Sequence, residues 1–316
     1  KGDGKLPWRI DWAARWIIHG ITCEPAGKDH GASGGSYDTG IPICKLLGGN
    51  PPDKMTYEWI QLKGAGAMSS SAGITIGPME ALELVPPEIL RYVIARSKMN
   101  RHIEFDTGSA LFQMADEYEN LVSEPPTSEE GMSKRQEIAV STKKGAIRLS
   151  QVRRGSSPSD SVGGVSFRHL SMLAQIKSSD NDVWESLRKS GHIGDSTPDA
   201  LSFRLSRMRH WINSPHFPDE SRIDIRSEAG PDLRSRLSEQ SLDFLDCLAD
   251  SLQDVEWSSK AIGRCIRESS DTAGLDRKEG YVTIYQLLLG RDDGPNASSI
   301  IAEMSRSDFL GLINGV

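Results

Sequence analysis

The chain changes character near residue 85. Before that point short strand-like runs alternate with glycine-rich turns; from Pro86 onward the apolar spacing is helical. In the first part, Trp8-Arg9-Ile10-Asp11-Trp12 and Tyr57 to Leu62 read as strands, and Ala13 to Gly20 and Gly35 to Leu47 as short helices. Such alternation predicts an α/β layer with a parallel sheet. In the second part, Pro87-Glu88 places a proline and an acid in a first helical turn, predicting a helix to about Ser97. Leu111, Ala115, Tyr118 and Val122 recur at spacings of 4, 3 and 4, the face of a helix over 108–122. Further helical patterns fall at about 166–176, 181–189, 197–213, 231–252, 258–270, 278–290 and 295–313. Gly290 is placed to end one helix and Pro295 to begin the next. Residues 123–133 read as an exposed connection, and 155–164, nearly without apolar residues, as a mobile loop.

Two segments in the first part combine glycine with small polar residues. Lys63-Gly-Ala-Gly-Ala-Met-Ser-Ser-Ser-Ala-Gly73 follows the strand-like run, and Glu24 to Gly35 contains Lys28, Asp29, His30, Gly34 and Gly35. Loops of this kind at strand ends offer backbone N–H groups to a polyphosphate. Gly34 and Gly35 let backbone approach a nucleotide closely or, equally, cap a helix start. Trp8, Trp12 and Trp16 recur at intervals of four, which fits a packed helix as well as a binding wall.

Composition narrows the classes. The 316 residues carry a formal net charge of −7, which argues against indiscriminate binding of polyanions but leaves local basic patches open. No apolar run approaches the roughly 20 residues needed to cross a bilayer, and no signal peptide is visible. Cys23, Cys44, Cys247 and Cys265 form no C-x-x-C pair, so no structural zinc site or other metal is expected, and reduced thiols in a cytoplasmic protein are. The first residue is Lys1 rather than Met, which predicts a fragment lacking its true N-terminus.

Taken in order, the segments resemble class I lysyl-tRNA synthetase, the type found in archaea and some bacteria. Leu6 to Trp16 looks like the stretch before that family's amino-acid pocket, and Cys23 to Gly40 like its active-site segment. Ala67-Met68-Ser69-Ser70-Ser71 occupies the place of the KMSKS signature. Glu104 to Gly108 with Ala115 to Glu119 looks like the connecting domain, and Leu287 to Gly290 with Gly294-Pro295 like the closing helices. The resemblance implies α/β plus all-α architecture: the second half of a Rossmann-like catalytic domain (1–85), a connecting region (86–165) and a helical anticodon-binding domain (166–316). No HIGH-type signature occurs, so the first half of the catalytic domain is absent from this sequence.

The family activates lysine with ATP and Mg²⁺ and transfers it to the 2′-hydroxyl of the terminal adenosine of tRNA(Lys). Positioning and electrostatic stabilisation carry that chemistry. The resemblance implies a lysine pocket of Trp8, His30 and Tyr57, with Asp11 as a further partner for the ammonium group; aromatic faces suit an aliphatic stem and its cationic end. It implies nucleotide contacts at Gly34, Gly35, Gly66, Ala67 and Met68, and catalytic roles for Met68, Ser69, Ser70 and Ser71. The signature lacks both lysines: Ala67 and Ser70 stand in their places, and Ala72 supplies none downstream. Lys63 or Lys28 is expected to compensate in part. No tightly bound cofactor, membrane or DNA partner is expected.

Between Lys134 and Arg154 seven cations face one acid, Glu137. Lys143, Lys144, Arg148, Arg153 and Arg154 are candidate tRNA contacts, or else a solvated face. Arg204 and Arg207 form a second candidate group, although Leu201, Leu205, Met208 and Trp211 make an amphipathic face by themselves. Two other readings stay open: a non-catalytic tRNA-binding relative, suggested by Ala67 and Ser70, and a glutamyl-type class I synthetase, which would favour a cationic pocket.

Overall fold

The computed structural model describes residues 4–63, 66–68, 75–153, 155 and 157–316. The first elements are helix α1 (Trp8–Ile18), strand β1 (Cys23–Gly27), the one-turn helix α2 (Lys28–Gly31), helix α3 (Ser36–Leu46) and strand β2 (Asp53–Tyr57). β1 and β2 run parallel, from Cys23 opposite Asp53 to Gly27 opposite Tyr57, with α2 and α3 as the crossover. Strands β3 (Ile60–Leu62) and β4 (Gly66–Ala67) pair antiparallel, and β3 runs parallel to β5 (Ile103–Phe105). The expected parallel layer is therefore two small sheets, broken at Glu58-Trp59.

The run expected as a strand at Trp8–Trp12 is the start of α1. Its apolar residues Trp8, Ile10 and Trp12 alternate over five residues, but the longer period of four, Trp8-Trp12-Trp16, with Ala13 beside them, is the signal that tertiary packing uses. Ala13 and Trp16 are buried against α3. Gly40 permits this contact, since a Cβ there would stand 2.8 Å from the Trp16 ring.

Helices α4 (Pro78–Leu84) and α5 (Pro87–Ala95) lie between β4 and β5 in sequence. After β5 come α6 (Ser109–Ser123), α7 (Lys134–Ser150), α8 (Pro158–Val162), α9 (Phe167–Ile176), α10 (Asp180–Lys189) and α11 (Asp199–Ile212). The last group is α12 (Leu233–Arg236), α13 (Glu239–Ser251), α14 (Ser259–Thr272), α15 (Arg277–Leu289), α16 (Ala297–Glu303) and α17 (Arg306–Asn314). Gly290 ends α15 in the left-handed region at φ 72°. Two expected long helices are each split by a serine cap. Ser238 Oγ accepts the Ser241 N–H (3.1 Å) to start α13, and Ser305 Oγ accepts the Asp308 N–H (3.0 Å) to start α17. The expected mobile loop at 155–164 contains α8, begun by Ser157, whose N–H donates to the Asp160 carboxylate (3.2 Å).

Two apolar cores result. A small one holds Ala13, Trp16, Tyr37 and Cys44. A large continuous one runs from Ala81 to Ile313 through most of the later helices. Inside the large core Arg204, 2% exposed, joins two carboxylates: its Nε donates to Glu88 Oε1 (3.0 Å) and its Nη1 to Glu119 Oε1 (2.6 Å). Glu119 also accepts the Phe167 N–H at 3.0 Å, tying α5, α6, α9 and α11 together. Burial pushes the Glu119 carboxyl above the usual range, and Arg204 opposes that rise. Arg204 is thus a core residue. It is not the exposed basic contact expected for RNA phosphates: the helix face of Leu201, Leu205 and Met208 carries it inward.

Candidate active site

Two aromatic side chains meet beside the end of β1, and a third closes β2. Trp8, in the first turn of α1, meets the His30 ring edge-on, centroids 5.9 Å apart. His30 also stands edge-on to Trp12 at 6.1 Å. Tyr57 closes β2 with its ring over Gly27, the last residue of β1; a Cβ on Gly27 would lie 3.8 Å from it. Trp8 and Tyr57 each leave about half their surface open, at 49% and 47%. Exposed aromatic faces beside a polar ring are suited to a guest with an alkyl stem and a cationic end.

A carboxylate fixes this wall from behind. Glu24 on β1 accepts the Trp12 indole N–H at 3.1 Å and the Trp16 indole N–H at 3.0 Å. An indole taken out of water needs an acceptor for its N–H, and one glutamate serves both. Trp8 then leans on Trp12 (5.9 Å), Trp12 on Trp16 (5.3 Å), and Trp16 on Tyr37 (5.3 Å). Trp12 and Trp16 are therefore the backing and Trp8 the exposed face. Asp11, expected near the ammonium group, is engaged by Arg15 one turn on, at 2.9 Å.

The loop from Gly31 to Gly35 is cinched by its own side chains. Asp38 Oδ2 accepts the Gly34 N–H (2.9 Å), and Lys54 Nζ bridges Asp38 Oδ1 (3.2 Å) and the Gly31 carbonyl (2.9 Å). The Gly34 N–H, and after it Lys54, hold the Asp38 carboxyl below its ordinary range. Gly34 needs its positive φ of 74°, and a Cβ on Gly35 would stand 2.7 Å from the His30 carbonyl oxygen. Gly35 is the N-cap of α3, and Ser36 Oγ lies 3.2 Å from His30 Nδ1. The segment thus presents the start of an 11-residue helix beside the aromatic wall.

The signature segment is described only in part. Ser69, Ser70 and Ser71 lie outside the described residues, as does Arg154. Gly66 and Ala67 form β4 against β3, and Met68 packs half-buried on the large core. The two cations expected to compensate are both held by carboxylates. Lys63 Nζ lies 2.7 Å from Asp106, which raises the lysine's pKa, and Lys28 Nζ lies 2.9 Å from Glu58. Glu58 also pairs with His102 at 3.4 Å. Glu24, Asp38, Glu58 and Asp106 were not singled out from sequence. Only Glu24 had a signal, the need of neighbouring indoles for an acceptor.

Of the basic candidates, Lys143, Lys144 and Arg148 are exposed on α7 and make no ion pair among the described residues. Arg153 is exposed just beyond that helix. Arg207 is pinned by backbone, its Nε donating to the Leu82 carbonyl (2.7 Å) and its Nη1 to that of Phe203 (3.1 Å).

Residues 1–151, which contain the whole aromatic wall, match the family described as tRNA synthetases class I (K). Similarity to curated proteins continues well past that point. A lysine–tRNA ligase of Archaeoglobus fulgidus is 35% identical over 306 residues, 96% of this chain and 56% of the relative. Those of Picrophilus torridus and Thermoplasma acidophilum are 31% and 32% identical, each over 98% of this chain and 58% of the relative.

Over nearly its whole length the chain is similar to lysine–tRNA ligases.

It spans a little under three-fifths of the length of these ligases. Among solved structures, a glutamate tRNA ligase from Elizabethkingia meningosepticum, in complex with its amino acid, aligns at a TM-score of 0.42 and 12% identity. That alignment covers 99% of this chain and 60% of the other. Of the residues expected to form the lysine pocket, Trp8 and His30 are in ring contact, and Tyr57 closes β2 over Gly27.

Proposed function

We propose that this chain carries the lysine pocket and RNA-facing surfaces of a class I lysine–tRNA ligase. In this reading the whole protein forms lysyl-adenylate from lysine and ATP·Mg²⁺ and transfers the lysyl group to tRNA(Lys) in the cytoplasm. One observation carries it: Trp8 and His30 meet edge-on and Tyr57 closes the neighbouring strand over Gly27, all inside the segment that matches the tRNA synthetases class I (K) family.

In this reading each part has a role. The Trp8 face and the Tyr57 ring flank the lysine stem and attract its ammonium group. His30, oriented through Ser36, meets the polar end of the amino acid. Gly34 and Gly35, at the start of α3, bring the helix N-terminus toward the nucleotide, where aligned backbone N–H groups favour negative charge. Met68, packed on the core after β4, and Ser69, Ser70 and Ser71, which follow it in sequence, supply N–H and hydroxyl donors to the triphosphate. Lys63 supplies positive charge beside that segment, held in place by Asp106. Residues 1–85 thus form the catalytic part, 86–165 the connecting part and 166–316 the anticodon-binding part. The exposed row Lys143, Lys144 and Arg148, with Arg153 and Arg154 beyond it, contacts tRNA phosphates.

Lysine-dependent ATP–pyrophosphate exchange by the whole protein tests the reaction. Lysine supports exchange and glutamate does not; exchange with glutamate alone, or with neither, overturns the reading. On the chain itself, lysine titration followed by tryptophan fluorescence gives a saturable change that Trp8→Ala abolishes.

A further inference from the structure

A second site lies away from the aromatic wall, where α5, α8 and α11 meet. They enclose a cleft of about 820 Å³, within the ~300–1,000 Å³ common for small-ligand sites. Pro86, Pro87, Val152, Pro198 and Ala200 supply apolar walls. Phe203, 62% exposed, adds an open aromatic ring, and the Arg207 guanidinium lies 5.9 Å from its centroid.

Two polar groups at this cleft lack partners. Arg204, 2% exposed, lines it, and with Nε and Nη1 spent on Glu88 and Glu119, its Nη2 has no hydrogen bond among the described residues. A buried guanidinium N–H without an acceptor is costly and uncommon. The Asp199 carboxylate, exposed in the first turn of α11, also lines the cleft and has no side-chain hydrogen bond or ion pair among the described residues. The cleft thus offers an unmatched donor, an unmatched acceptor and a flat apolar surface.

Three carboxylates, Glu88, Asp160 and Asp199, line the cleft beside three arginines, Arg153, Arg204 and Arg207, so it carries no excess of positive charge to select a phosphate. A nucleobase suits this set. It is flat and neutral, and its edge carries hydrogen-bond acceptors and donors side by side.

We propose that this cleft binds an unstacked nucleobase, its ring laid on Phe203 and its edge hydrogen-bonded between Arg204 and Asp199. The base belongs to a single-stranded RNA segment or to a free nucleotide; the first source rests on the tRNA reading above, and the second does not.

The test uses the full chain, with GMP, CMP and a single-stranded decaribonucleotide as probes in equilibrium titration. Binding is saturable. Phe203→Ala weakens it at least fivefold, the scale of losing base–aromatic stacking, without moving the thermal midpoint. Phe203→Tyr keeps it, and Trp8→Ala leaves it unchanged, which separates this site from the lysine pocket. Tighter binding of the oligonucleotide than of either mononucleotide assigns the base to RNA; equal binding assigns it to a free nucleotide. Absence of saturable binding by any probe at millimolar concentration, or indifference to Phe203→Ala, overturns the proposal.

Discussion

The aromatic layer of residues 6–60 and the helical body after Ala81 are held together by opposite means. The body buries a continuous core from Ala81 to Ile313 and even encloses an arginine with two glutamates. The layer buries only Ala13, Trp16, Tyr37 and Cys44 as a core, and every residue of β2 is exposed. Leu6, Trp8, Ile10, Ile18, Leu46, Leu47 and Tyr57 all stand open in it. Polar ties substitute for bulk: Glu24 to two indoles, Asp38 to Gly34 and Lys54, and the Tyr37 hydroxyl to the Pro52 carbonyl. The region proposed to carry the binding surface is the one with less core, as expected where side chains are kept open for a guest.

The sharpest break of this comparison comes from Arg204. Replacing Arg204 with Ala leaves Glu88 and Glu119 buried without their cation, which costs about 3–5 kcal/mol. Urea denaturation followed by far-ultraviolet dichroism reads that loss in the body. An unchanged midpoint would mean that the triad does not hold α5, α6 and α11 together. Trp16→Ala strikes the other region, at about 3–5 kcal/mol for a buried tryptophan. Hydrogen exchange then shows faster exchange in α1, α3 and β1, with α13–α15 unaltered; equal loss in both regions would make them one cooperative unit.

Smaller effects sharpen the site. Trp8→Ala weakens lysine binding about tenfold or more, while Trp8→Phe retains most of it, since a cation over a desolvated ring is worth up to ~2 kcal/mol. Lys63→Ala slows adenylate formation in the whole protein by about tenfold, below the loss typical of a complete transition-state donor. An unaltered rate removes Lys63 from the proposed loop chemistry and leaves Lys28 as the candidate. The smallest effect is on pH dependence. Burial first, and then the stacked His192 ring at 4.7 Å, hold His169 below its ordinary pKa of 6.5, against the opposing pull of Glu303. The unfolded chain therefore binds this proton more tightly. The contribution of His169 to stability is complete above pH 6.5 and declines as pH falls from 6.5 through its folded pKa. His169→Phe flattens that slope in thermal melts taken across this range.

The sequence carried the helices with clear apolar periodicity and unambiguous ends. The spacing of Leu111, Ala115, Tyr118 and Val122 marked α6, and Gly290 marked the end of α15. It also pointed to Trp8 and His30 through the distinctive segment from Leu6 to Gly40, and these two rings do meet. It misplaced the backbone of Trp8–Trp12, where five residues fit either period and only packing on α3 selects the helix. It missed the sites of serine caps that split long patterns, since a serine reads the same inside a helix as before one. The carboxylates were hidden for a related reason. Nothing local to Glu24, Glu58 or Asp106 says that an indole or a lysine 8 to 43 positions away will meet it.

What the sequence by itself determined is the inventory: which faces are apolar, where glycine permits a turn, and which rings and charges are available. Those properties belong to single residues and to their spacing along the chain. The tertiary structure alone decided the partners. It sent Arg204 inward and left Lys143, Lys144 and Arg148 outside, although all four are cations on helices. That choice depends on which neighbouring surfaces close over a side chain and whether counter-charges arrive with them. Those terms arise only when distant segments are brought into contact.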